Sequence, residues 1–301
     1  MKTNKVMVVM SNRQFDHFLI KQLEKSGIEC FNLSPDSVND LSVRSYCCHH
    51  ARECMIEIKS GVSIKIQDIS GIIMLDHTSW LRAKHKNHDK RYFYKKSGWL
   101  AFWLHALQQS SVTINAIHHQ MLSPSYLCLP RLYKLMHNNG IKVPDISFNS
   151  IGLAPCENSI FMRDLGIHSD FSNKKKDQFF CVGKKQGLWI LVLCYCQSID
   201  AILHEKNVPV AIPNELIEKI LKMCQELAFD IAEWLFLFHD NEWIAYGVTA
   251  WPNWSIWTHR WHNVARVLSF HIKNTSNRHQ KIKTKKIIPP LTLPHYNSIH
   301  T

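Results

Sequence analysis

Basic and aromatic side chains are interleaved in the run DHTSWLRAKHKNHDKRYFYKK. Trp80, Arg82, Lys84, Lys86, Lys90 and Arg91 stand there beside Tyr92 and Tyr94. Guanidinium and ammonium groups next to aromatic faces can hold phosphates or an acidic peptide through charge, forked hydrogen bonds and stacking. A solvated connection between elements accounts for the same composition equally well. A second group, Cys47, Cys48, His49, His50 and Cys54, offers the soft thiolate and imidazole ligands that zinc accepts. The spacing C-C-H-H-x3-C has no accompanying C-x2-C pair, so incidental thiols on a sheet-covering helix are the simpler reading and no metal site is assigned. His118 and His119 follow an expected strand, at the sheet edge where α/β proteins often bind ligands, although hydrogen-bonded structural histidines suit that place too. Cys194 and Cys196 alternate in an apolar strand and read as buried. Lys184 and Lys185 in VGKKQG lack the G-x4-G-K-[ST] frame of a phosphate loop and read as a turn.

The stretch that positions the rest is 227–254, LAFDIAEWLFLFHDNEWIAYGVTAWPNW. It predicts a helix end, a strand over Trp234–His239, a tight turn at Asp240–Asn241, a second strand over Trp243–Thr249 and a Pro-Asn loop. The second strand closes on Gly247, Val248 and Thr249, which offer no carboxylate.

Around that hairpin the periodicity predicts an α/β layer. Lys5–Met10 is a continuous apolar strand, Phe15–Ser26 a helix stopped by Gly27, and Ile28–Leu33 the next strand. The pattern weakens over 37–60, then gives strands at Val62–Gln67 and Gly71–Leu75. A helix at Gly98–Leu107, a strand at Val112–Asn115 and a helix at Ser125–Asn139 ended by Gly140 come next. A short strand, Ile141–Val143, runs into Pro144. Residues 145–187 have poor periodicity and read as a linker or a reduced subdomain. Beyond them come strand Leu188–Gln197, an amphipathic helix Ile212–Gln225, the hairpin, and a helix over Trp254–Ile272. Helical spacing puts Trp254, Trp257 and Trp261 on one face, as core. From Lys273 the chain reads as a loose basic tail.

With 301 residues, 46% hydrophobic and 20% charged, the chain has globular values and room for two or three units. The formal net charge of +12 is unevenly placed, because no Asp or Glu follows Glu242. That balance suits an anionic partner, or a solvated basic tail. Ten cysteines without a framework spacing suit a reducing compartment, and the N-terminal apolar run, broken by Ser11 and Asn12, reads as a strand and not a signal peptide. No apolar run reaches the ~18 residues of a membrane span, so a cytoplasmic protein is expected.

Four landmarks stand in one order. They are an N-terminal βαβ unit, Trp80-Leu81-Arg82 after a buried strand, Gly140, Val143 and Pro144 after a helix, and a hairpin ending in a Pro-Asn-Trp loop. This order resembles ATP-grasp ligases, in particular the RimK-like branch and the ligases that crosslink microviridin-type peptides. The resemblance implies a pre-ATP-grasp α/β domain over 1–116, a reduced ATP-grasp-like α+β domain over 117–272 and a tail over 273–301. It implies a peptide or acceptor site near Trp80, Arg82, Lys84 and Arg91, with ATP and Mg²⁺ as cofactors of an active member forming an acyl-phosphate. The family's Glu-x-Asn magnesium ligands fall on Gly247 and Thr249, its lysine before G-x-x-V-P falls near Leu129, and its nucleotide-binding stretch is cut to 145–187. The expected function is therefore a degenerate peptide ligase that binds a peptide or a partner ligase. The alternatives are an active ATP-dependent carboxylate–amine ligase, and a basic nucleic-acid-associated protein for which no recognised motif speaks.

Overall fold

The computed structural model describes residues 4–10, 13–33, 42–48, 51–57, 63–65, 68–75, 112–115, 129–148, 159–163, 179–183 and 186–283. The chain opens with β1 (Asn4–Val9), α1 (Gln14–Lys25) and β2 (Ile28–Leu33), followed by β3 (Ser42–Cys48), β4 (Ala51–Glu57), β5 (Ser63–Lys65), β6 (Gly71–Met74) and β7 (Val112–Ile114). A parallel sheet forms in the order β2-β1-β6-β7. Val6 to Val9 are buried without exception, which is why the strand reads as a continuous apolar run: parallel strands are covered on both faces. Phe15, Leu19 and Leu23 form the buried stripe of α1. The Asp16 carboxylate accepts the Arg13 backbone N–H at 3.2 Å, tying down the helix start. Gly27, at φ 77°, ends the helix in the left-handed region.

Strands β3, β4 and β5 make a separate antiparallel sheet. This corrects the helical reading of the cysteine-rich stretch: Cys47 is in register with Arg52, Cys48 with Ala51 and Cys54 with Ser45. Pairing between strands is non-local and outweighs the weak local pattern. Of the two readings of 145–187, a linker or a reduced subdomain, the second fits the described residues: β8 (Ile146–Phe148), β9 (Ser159–Arg163) and β10 (Phe179–Gly183) form an antiparallel sheet ordered β8-β10-β9. Strands of three to five residues are too short for period-2 alternation to stand out from polar connections.

Ahead of them, α2 (Leu129–Asn138) ends at Gly140, φ 70°. The segment after it pairs with the hairpin: Ala245 N–H donates to the Lys142 carbonyl at 2.8 Å, and Lys142 forms an ion pair with Glu242. The largest sheet comprises β11 (Leu188–Tyr195), β12 (Ser198–Leu203), β13 (Val208–Pro209), β14 (Ile231–His239) and β15 (Glu242–Thr249), ordered β13-β12-β11-β14-β15. Helix α3 (Asn214–Glu226) buries Leu216, Ile220 and Met223. The hairpin turn is the two-residue type expected, with Asp240 at φ 48° and Asn241 at φ 60°, a backbone that Asn and Asp tolerate best among side-chain-bearing residues. A bulge between Leu235 and Phe236 leaves Tyr246 as the extra residue of β15. Its carbonyl accepts the buried Tyr133 hydroxyl at 2.9 Å, fastening α2 to the hairpin.

The last helix, α4 (Trp261–Lys283), follows a 3-10 turn at Thr258–Arg260. It starts later than the spacing of the tryptophans predicts and runs past Ile272. Trp254 and Trp257 precede it, so a loop and not a helical stripe brings the tryptophans together. They are core all the same: Trp254 and Trp257 are buried, and Trp254 stacks on Phe15 with ring centroids 3.7 Å apart. Trp261 meets Phe15 edge-on at 5.7 Å. Among the described residues no helix is long and apolar enough to cross a membrane.

Gly187 enters β11 where a Cβ would stand 2.4 Å from the Phe238 carbonyl oxygen. Gly187→Ala is expected to lower the urea midpoint, with a stability loss of about 1–3 kcal/mol as β11 shifts against β14. A wild-type midpoint would show that this edge yields freely.

Candidate functional site

One row of four residues crosses the large sheet. Leu193 on β11 is in register with Asp200 on β12 and with Glu233 on β14, and Glu233 is in register with Thr249 on β15. Residues in register on adjacent strands project to the same face, so two carboxylates and a hydroxyl share that face around one leucine. Glu233 is 2% exposed. An acid placed there costs several kcal/mol unless its oxygens are bonded.

The chain supplies the partners from residues 251–260. The Glu233 carboxylate accepts the Trp257 indole N–H at 2.6 Å and the Asn253 backbone N–H at 3.2 Å through Oε2. Asp200 accepts the Tyr195 hydroxyl at 2.6 Å and pairs with the Arg260 guanidinium at 3.2 Å. The Thr249 hydroxyl accepts the Trp251 backbone N–H at 3.1 Å. Trp251, Asn253, Trp257 and Arg260 therefore form a strap that meets every polar member of the row. Within the strap, Trp257 is fully buried. Burial pushes the Glu233 carboxyl up to about 7, against the opposing hydrogen bonds from Trp257 and Asn253. Burial also raises Tyr195, with the Asp200 hydrogen bond adding to it and Arg260 and Arg266 opposing.

Beside the row, Asn115 joins the parallel sheet to the large one. Its side-chain oxygen accepts the N–H groups of Asp230 and Ile231 at 2.9 and 2.8 Å. Its amide donates to the carbonyls of Ile231 and Ala250 at 3.1 and 2.9 Å. Its own backbone N–H donates to the Asp230 carboxylate at 2.9 Å. Arg13, at the start of α1, reaches the Pro252 carbonyl at 3.5 Å. The strap is thus held from both sheets.

A resident Mg²⁺ at the hairpin end, as the resemblance implies, finds a poor donor set. Mg²⁺ wants several oxygens in near-octahedral order, usually one or two carboxylates with phosphates and water. Gly247 has no side chain, Thr249 offers a hydroxyl that already accepts an N–H, and Glu233 spends Oε2 on Trp257 and Asn253. These residues do not fit the ion. Among the described residues no group of three or more His, Cys, Asp or Glu could hold a metal.

Trp80, Arg82, Lys84 and Arg91, the expected peptide or acceptor residues, lie outside the described residues, as do Lys86, Lys90, Tyr92, Tyr94, His49, His50, His118, His119, Lys184 and Lys185. Cys194 is buried as expected, and burial raises its thiol pKa, while Cys196 stands half-buried in the turn after β11. Sequence reasoning missed Glu233, Asp200 and the strap. One signal was present: an acid in the otherwise apolar run AEWLFLF has no solvent-facing side on which to sit.

No protein-family model matches the sequence, and no curated protein matches it. Solved structures do match. The macrocyclase MdnC bound with precursor peptide MdnA from Microcystis aeruginosa MRC superposes with a TM-score of 0.70 and 11% identity, over 90% of this chain and 99% of that one. The ATP-grasp ligase PsnB complexed with minimal precursor, Mg and ADP gives 0.69 and 11%, over 92% and 99%. A Chryseobacterium gregarium RiPP-associated ATP-grasp ligase in complex with ADP and a leader and core peptide gives 0.67 and 10%, over 90% and 97%. The chain has the fold of ATP-grasp, microviridin-type ligases.

Proposed function

We propose that this ATP-grasp-like chain is a degenerate peptide ligase that works by binding a peptide or a partner ligase, without turning over nucleotide. The observation that carries this reading is the hairpin end. Gly247 and Thr249 stand where the resemblance asks for magnesium ligands, and Glu233, the carboxylate in register with Thr249, is engaged by Trp257 and Asn253. Without a bridging cation, an acyl-phosphate loses most of its electrostatic stabilisation. Peptide binding is supported by the fold, since MdnC and PsnB were solved with precursor peptides. The division proposed is a pre-ATP-grasp-like unit over 1–116 and a reduced ATP-grasp-like unit over 117–272. The second boundary falls inside α4. The free thiols Cys30, Cys194, Cys196 and Cys224 suit a reducing compartment such as the cytoplasm.

Isothermal titration of the protein with ATP and Mg²⁺ tests the reading. No saturable heat at millimolar nucleotide is the expected result. Saturable binding that requires Mg²⁺ would overturn it in favour of the second reading, an active ATP-dependent carboxylate–amine ligase, which Glu233 favours as a surviving acid beside the hairpin end.

A further inference from the structure

The wet face of α4 carries a side chain that does not belong there by burial. Val264, Ala265, Leu268 and Ile272 seat the helix against the core, while His262, Arg266, Phe270 and Lys273 point to solvent. Phe270 is 69% exposed, the most exposed of the large hydrophobics among the described residues. Helical spacing sets Arg266 four residues before it and Lys273 three after, so both charges border the ring. Arg266 is loosely held by Asn263 at 3.4 Å.

We propose that this face docks an acidic segment of a partner protein or peptide, with one apolar side chain of that segment packed on Phe270 and carboxylates on Arg266 and Lys273. Charge selects the occupant. On α4 itself the two exposed charges that border Phe270 are both cationic, and from Trp243 to Thr301 the chain holds Arg and Lys but no Asp or Glu. The chain's own residues 284–301 contain no acid and do not complement it. A second copy docking the same face would set Arg266 and Lys273 against their like. An aromatic ring framed by cations supplies an apolar anchor and a charged rim in one site. This inference rests on the reading that the chain acts by binding, and names the chemistry of what it binds.

The test uses fluorescence anisotropy of the full chain with labelled glutamate-rich peptides, one carrying a central leucine and one carrying serine in its place. The leucine peptide is expected to bind tighter, to weaken with salt, and to lose about tenfold affinity, on the order of one hot-spot contact, to Phe270→Ser or Arg266→Glu. Both positions are solvent-exposed, so circular dichroism of the variants is expected to match the parent. Equal affinity for all variants would overturn the proposal. Preferential binding of single-stranded RNA lost with Phe270→Ser would overturn it in favour of a nucleic acid, and a dimer abolished by Phe270→Ser in favour of a second copy. Titrating Phe270→Ser with ATP and Mg²⁺ keeps the two ideas apart, because nucleotide binding sinks the nucleotide-independent reading whatever the peptide does.

Discussion

Asn115→Ala is expected to destabilise the protein by about 5 kcal/mol. Four side-chain hydrogen bonds disappear, each worth roughly 1 kcal/mol net. The groups left behind are backbone N–H and C=O groups of Asp230, Ile231 and Ala250 at the junction of two sheets, and unpaired buried polar groups cost more than the mean bond. Asn115 also has φ 52°, a left-handed backbone that asparagine tolerates and alanine resists by about 1 kcal/mol. Asn115→Asp separates the contributions: it keeps the acceptor for Asp230 and Ile231, removes the two donors, and sets a charge beside the Asp230 carboxylate. Urea unfolding of both variants against the parent measures the cost. A loss below about 1 kcal/mol in the alanine variant would mean that the junction does not hold the sheets together.

The second large effect is on pH. Stability is expected to fall as pH rises through about 7, the value to which burial pushes Glu233 from its ordinary 4.5. Burial favours the neutral acid, so the folded chain holds a proton that the unfolded chain releases near 4.5. Between those two values folding takes up a proton. The contribution is therefore fully present below 4.5, declines with pH, and is lost above about 7. A shift of this size corresponds to about 3 kcal/mol. Asp230 is raised as well, by burial, and tilts the profile the same way. Glu233→Gln keeps an oxygen for Trp257 and Asn253 without the charge. It is expected to flatten this limb and to be more stable than the parent at pH 8, measured by thermal or urea unfolding across pH. An unchanged slope in Glu233→Gln would show that the carboxylate stays ionised within its hydrogen bonds.

Both effects lie at places that local pattern reaches only partly. The apolar run Val6–Val9, the stripe Phe15, Leu19, Leu23, the glycine stops Gly27 and Gly140, and the turn Asp240–Asn241 were legible because burial and backbone conformation there depend on residues a few positions apart. The order of short motifs was enough to suggest the ATP-grasp frame, which the solved structures share. The cysteine-rich stretch reads locally as helix, and the individual strands within 145–187 do not stand out, since their pairing joins residues that no window of periodicity compares.

The candidate site divides in the same way. From the residue types alone it follows that Gly247 and Thr249 are poor magnesium ligands, because a missing side chain and a lone hydroxyl supply too few oxygens whatever surrounds them. What happens to Glu233 does not follow from its type. Register places it in one row with Asp200 and Thr249, and an irregular strap, fastened by Asn115 after β7 and Arg13 at the start of α1, brings Trp257 and Arg260 over that row. The presence of a ligand is a property of one residue, whereas its engagement depends on strands and a loop far apart in the chain, and the tertiary structure alone decides it.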